Sequence, residues 1–111
     1  MSSKFGTDAT AEENFRMEYQ PDKIVKVIKK DGSLEEFNVQ KVIDAVGKSA
    51  YRALTKFTDE EKRHICQTVI DKVNELGEER IPIQIMHNMV ESALEDVKPI
   101  VAKSYRDYRN Y

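Results

Sequence analysis

One stretch constrains the fold more than any other: the apolar run IVKVIKK from Ile24, then Asp31-Gly32, then SLEEF, then Asn38. Two segments rich in β-branched and apolar residues flanking Asp-Gly form a hairpin signal, because Asp and Gly accept the positive φ angles of tight turns. The pattern predicts strands over about 24–30 and 33–37. Asn38 is a good N-cap, and behind it Val39, Val42, Ile43, Val46, Ala50 and Leu54 recur at helical spacing, which predicts a helix over about 39–54. A hairpin is thus joined directly to a helix start. Its register has two solutions. A strict two-residue loop puts Lys29 on the face of Leu34 and Glu36. A three-residue loop with a bulge puts Val25, Val27 and Lys29 on the face of Glu35 and Phe37. The second makes the more coherent polar site, and the sequence leaves both open.

The rest of the chain reads as helix. Thr58-Asp59-Glu60-Glu61 is a capping box, the helix behind it carries Ile65, Val69, Ile70, Val73 and Leu76 on one side, and Gly77 stops it. Residues 78–82 suit a brief edge strand, where Pro82 removes no needed donor. A third helix buries Ile85, Met86, Met89, Val90, Ala93 and Leu94. Pro99 opens a fourth, with Val101, Tyr105 and Tyr108 along one face. Gly47 inside the first helix costs about 1 kcal/mol relative to Ala, which points to close packing or a bend there. The fold class is mainly α (α+β): a four-helix bundle capped by a small β-sheet of two to three strands. Its 111 residues allow one core. Residues 1–22, polar and without a period, read as a flexible leader in which Phe15, Met17 and Tyr19 could add a short strand, and 23–111 as the domain. The chain stops at Tyr111 in a helical pattern, as expected for a piece of a longer protein.

Charge narrows the function. The chain carries 18 basic and 20 acidic residues, so its surface as a whole favours neither nucleic acid nor anionic lipid. No apolar run approaches the roughly 20 residues that span a bilayer, and the single cysteine, Cys66, rules out a disulfide within the chain and any multi-cysteine metal site. A cytoplasmic protein is expected. Residues 23–56, however, are net +4, with Lys23, Lys26, Lys29 and Lys30 before the turn and Lys41 in the first turn of the following helix. Such cations, converging beside a helix N-terminus, suit a polyphosphate. Neither GxxxxGK[ST] nor GxGxxG is present, so any phosphate site rests on lysines. His64 and His87 lie on different helices without a carboxylate at metal spacing and read as surface or packing residues. Cys66 reads as a buried thiol, Met86 and Met89 as core, and Tyr105 and Arg109 as braces at the base of the domain, a face toward a larger chain, or ordinary surface packing.

VIKKDGSLEEFNVQKV resembles the opening signature of the ATP-cone family, a strand-turn-strand-helix unit with a basic pair before Asp-Gly and an Asp/Asn-x-x-Lys helix start. IQIMHNMVESAL resembles the family's third helix, and VAKSYRDYR its closing helix. The resemblance covers about residues 23–109. It implies a nucleotide-binding domain, typically at the N-terminus of the catalytic subunit of ribonucleotide reductase and possibly of the anaerobic type. There it acts as the overall activity switch, permissive with ATP and inhibitory with dATP, and is not itself catalytic. Carried over, Lys29 and Lys30 match the basic pair near the phosphates and Glu35 the acidic residue at the sugar or base. Asn38 and Lys41 match polar helix-start positions, and Val27 and Val42 the apolar walls of the base pocket. Where members often carry Arg, this chain has Lys30, without bidentate geometry. The implied partners are ATP or dATP, Mg2+ with the nucleotide, the remainder of the reductase subunit, and a further copy through the domain; nucleic acid and membrane are not expected. Two other readings are weighed. A nucleotide-sensing transcriptional repressor joins the same cone to a zinc ribbon, which needs four cysteines ahead of it, whereas Cys66 is the only one. A helical interaction module would bind no nucleotide.

Overall fold

A computed structural model describes the backbone of residues 21–109 and the side chains of residues 21–107. Most of the expected leader, including Phe15, Met17 and Tyr19, lies outside the described residues. The order of elements is β1 (Lys26–Ile28), β2 (Leu34–Glu36), α1 (Val39–Arg52), α2 (Asp59–Leu76), β3 (Arg80–Pro82), α3 (Ile83–Val97) and α4 (Pro99–Arg109). Among the described residues, four helices and a three-stranded sheet of order β2-β1-β3 give the mainly α class expected. The ladders are shorter than the apolar patterning suggested. Both β1 and β2 keep only three residues, and α1 ends at Arg52 rather than Leu54.

The hairpin adopts the second register. Val27 stands opposite Glu35, and Ile28 opposite Leu34. The Lys29 amide donates to the Ser33 carbonyl at 2.8 Å and the Gly32 amide to the Lys29 carbonyl at 2.9 Å, leaving Lys30, Asp31 and Gly32 as a three-residue loop. Gly32 has φ +88°, which a side chain would strain. The Asp31 carboxylate accepts from the Ser33 hydroxyl at 2.6 Å and from its amide at 2.9 Å, and these two bonds hold its pKa below the ordinary carboxylate value. Beyond the ladder the Phe37 amide reaches the Val25 carbonyl at 2.8 Å. Val25, Val27 and Phe37 are therefore buried on the bundle side of the sheet. β3 runs parallel to β1 on its other edge and drives Ile81 into the core.

Local chemistry sets the helix limits. Asn38 caps α1, its side-chain oxygen accepting from the Gln40 amide at 2.8 Å. In the capping box of α2, the Glu61 amide donates to Thr58 Oγ1 at 3.1 Å and the Thr58 amide to Glu61 Oε1 at 2.9 Å. Gly77 ends α2 at φ +65°. The end of α1 is unusual. The Leu54 amide bonds to the Tyr51 carbonyl and the Thr55 amide to the Ala50 carbonyl, the paired C-terminal bonds that normally require glycine, yet Leu54 occupies the left-handed position at φ +61°. Gly47 corrects the expectation placed on it: it is exposed, and a Cβ there would meet nothing within 4 Å. No packing demand explains this glycine.

α4 packs against both α1 and α3, and α2 against α3. Ser49 Oγ donates to the Ala45 carbonyl at 3.0 Å while the Ser49 carbonyl accepts from Ser104 Oγ at 2.8 Å, tying α1 to α4. Arg106 joins α4 to α3 through Glu91 at 2.7 Å and Glu95 at 3.4 Å. The hydrogen bond to Glu91, foremost, raises the Arg106 pKa further. Lys98 donates to the Lys56 carbonyl at 2.7 Å and lies 5.3 Å from the Phe57 ring centre, fixing the α1–α2 link against the α3–α4 joint.

Cys66 is 1% exposed among the core residues of α2, and burial pushes its thiol from 9.0 up to about 12. A raised folded-state value leaves stability untouched below pH 9 and removes it as pH rises toward 12, because only the unfolded chain releases the proton. Between pH 8 and 10.5 the wild type should lose about 2 kcal/mol more stability than Cys66→Ala, at roughly 1.4 kcal/mol per pH unit. Urea unfolding of both proteins at the two pH values measures it.

Candidate functional site

The sheet, the start of α1 and the inner faces of α3 and α4 meet at a cleft of about 170 Å3. Each wall follows from local sequence. The hairpin register turns Val27 inward and sets Glu35 across from it. Asn38, as N-cap, places Lys41 and Val42 in the first turn of α1, with Ala45 one turn on. From α3 come Ile83, Met86, His87 and Val90, spaced three and four apart on one face, and from α4 comes Tyr105. The lining is largely apolar, with Val27, Val42, Met86, Val90 and Tyr105 all buried. His87 and Tyr105 meet edge to face, their ring centres 6.0 Å apart at 83°.

The mouth is ionic. Glu35 pairs with Lys29 at 3.9 Å and makes a close hydrogen-bonded ion pair with Lys41. Side chains of Lys29 and Lys41 are 52% and 61% exposed, so both amines remain reachable from solvent. The N-terminus of α1 brings the positive end of its dipole to the same place, with no acidic residue in its first turn to oppose it. A slot with apolar walls accepts a planar heterocycle. Cations at its lip accept phosphate oxygens.

A family model described as the ATP cone domain matches residues 25–111. The chain belongs to the ATP cone family. It is accordingly a nucleotide-binding, allosteric regulatory domain whose ligands are adenine nucleotides. No curated protein matches it.

Within this ATP cone, Val27, Glu35, Asn38, Lys41 and Val42 all line the cleft, and Lys29 joins them through Glu35. Lys30 does not. It sits exposed in the hairpin loop and is not among the lining residues. Lys30 is the first residue of the three-residue loop that Lys29 and Ser33 close. Asn38 spends its side-chain oxygen on capping α1. His64 is exposed on α2, away from the lining, in keeping with a surface role.

Sequence reasoning missed the α3 and α4 wall. His87, expected at the surface or in packing, packs edge to face on Tyr105, and both side chains line the cleft. A signal existed: His87 stands four residues after Ile83 and three before Val90, on the apolar stripe itself. Two other grooves are larger and more polar. One, about 420 Å3, lies where Pro21–Val25 passes Glu36–Asn38; the other, about 300 Å3, lies between Arg52, Ala53 and the start of α4. Neither combines apolar walls with converging cations. Among the described residues no helix is long and apolar enough to cross a membrane.

Proposed function

We propose that this ATP cone is the overall activity switch of a ribonucleotide reductase and binds its adenine nucleotide in the cleft beneath the hairpin. The base enters the slot of Val27, Val42, Ala45, Met86 and Val90, with His87 and Tyr105 at its side. The phosphates lie toward Lys29, Lys41 and the start of α1, and Glu35 turns to a ribose hydroxyl, for which a carboxylate is a natural acceptor. The cleft is smaller than the ~300 Å3 at which pockets enclosing a whole drug-sized ligand begin. It takes the base and leaves sugar and phosphates at the lip, where the charges are. The observation that carries this reading is the convergence of Lys29, Glu35 and Lys41 on the mouth of an apolar slot.

A triphosphate brings up to about four negative charges, more than these lysines and a helix terminus neutralise, so Mg2+ accompanies it. The phosphate oxygens are the natural ligands for that ion, since Mg2+ is usually held by substrate phosphates, waters and at most one or two carboxylates. The domain performs no chemistry of its own. ATP and dATP differ at the 2′-hydroxyl, and they bias the parent assembly only by their difference in affinity for its permissive and inhibited states. That output requires the remainder of the subunit and contact between copies, in the cytoplasm where ribonucleotides are reduced.

Thermal unfolding with ATP, dATP and GTP, each with and without Mg2+, tests the reading. ATP and dATP should raise the midpoint, by the equivalent of about 2.7 kcal/mol at a hundred times Kd, and GTP less. Indifference to all three at millimolar concentration would favour an interaction module without nucleotide.

A further inference from the structure

Glu35 holds both cations of the cleft mouth at once, Lys29 from its own hairpin and Lys41 from α1. The register favours this: with Val27 opposite Glu35, the carboxylate lies between Lys29, just past the end of β1, and Lys41 in the first turn of α1. It therefore occupies the position and makes the pairings that a phosphate oxygen would. We propose that Glu35 is an internal competitor for the phosphate-binding cations, a latch that a ligand opens only if it can also satisfy the carboxylate it displaces. This rests on the nucleotide reading of the cleft given above.

The physical consequence is selectivity against bare phosphates. A polyphosphate that captures Lys29 and Lys41 leaves Glu35 an unpaired anion beside several negative oxygens, a repulsive arrangement at short range. A nucleoside triphosphate supplies hydroxyl donors next to the same phosphates, so the released carboxylate exchanges two ion pairs for a hydrogen bond and escapes the phosphate field. The latch thus makes recognition of the sugar a condition for recognition of the phosphates. It keeps inorganic polyphosphate from posing as a nucleotide.

Calorimetric titration of the whole chain with ATP and with sodium tripolyphosphate tests this, using Glu35→Gln, which keeps size and hydrogen bonding but releases the lysines. Asp44→Asn, one turn along α1 from Lys41 and exposed, removes the same charge without touching the pairs. In Glu35→Gln the affinity for tripolyphosphate should rise at least tenfold and the preference for ATP over tripolyphosphate should shrink by a similar factor. Asp44→Asn should change both affinities less than twofold. An equal rise in the two variants would reduce the effect to net charge and overturn the latch, as would no rise in Glu35→Gln. Either failure leaves the nucleotide reading standing as long as wild-type ATP binding still depends on Lys29 and Lys41; if it does not, the nucleotide reading itself has failed.

Discussion

Replacing Lys29 and Lys41 together by Ala should weaken binding of ATP and dATP at least thirtyfold while moving the thermal midpoint of the unliganded domain by no more than a few degrees. Both amines stand at the lip of the apolar slot and both side chains are more than half exposed. A hydrogen bond to a charged group contributes about 1.5–3 kcal/mol. Two such bonds would exceed a thousandfold at the upper end, but in the unliganded domain the lysines are already engaged with Glu35, so part of the gain on binding is exchange. A net loss of about 2 kcal/mol for the pair is the corresponding expectation, and that is thirtyfold. Exposed ion pairs contribute little to folding, which is why stability should hold. Unchanged affinity, measured by calorimetry, would move the phosphates elsewhere.

The second large effect concerns the bundle. Leu94, fully buried on α3 among the core side chains, should cost about 2–5 kcal/mol when cut to Ala, through lost transfer energy and the cavity left behind. Small domains have only about 5–15 kcal/mol in all. At roughly 4–8 °C per kcal/mol for a domain of this size, the midpoint should fall by about eight degrees or more. α3 also carries Met86, His87 and Val90 into the cleft. Nucleotide should therefore recover part of the loss, because it binds the folded form alone. A midpoint that drops but no longer responds to ATP would show that the Leu94 cavity has shifted the α3 wall. A drop of under two degrees would contradict the place given to Leu94 in the core.

Most of the half of the site built by the hairpin and α1 was legible in the sequence, and most of the half built by α3 and α4 was not. Asp31-Gly32, the alternation of Val25, Val27 and Lys29, and the cap at Asn38 act within about twenty residues, so local rules place Val27, Glu35, Lys41 and Val42 together once the loop length is chosen. That choice needed the structure, since a bulge at Gly32 and a strict two-residue turn differ only in backbone geometry. His87 and Tyr105 reach the cleft through tertiary packing across more than forty residues, and periodicity reports only that a face is apolar, not which element it meets. Lys30, adjacent to Lys29, is exposed in the hairpin loop and is not among the residues that line the cleft. Leu54 in a left-handed position and Gly47 in open space are exceptions to propensity that nothing in the packing accounts for. The existence and order of the four helices were readable, because capping box, glycine stop and Pro99 are local signals that the core then reinforces, but Ile85, Leu76 and Leu54, expected on the apolar faces, are exposed.

The most direct measurement is a nuclear magnetic resonance titration of the isotope-labelled chain with ATP, following backbone amides, methyl groups and aromatic rings. Shifts should concentrate on Val27, Glu35, Lys41, Val42, Ala45, His87 and Tyr105 and saturate together. Shifts confined to the groove beside Pro21–Val25 or to the joint of Arg52 and Ile100, with this set unmoved, would contradict the account.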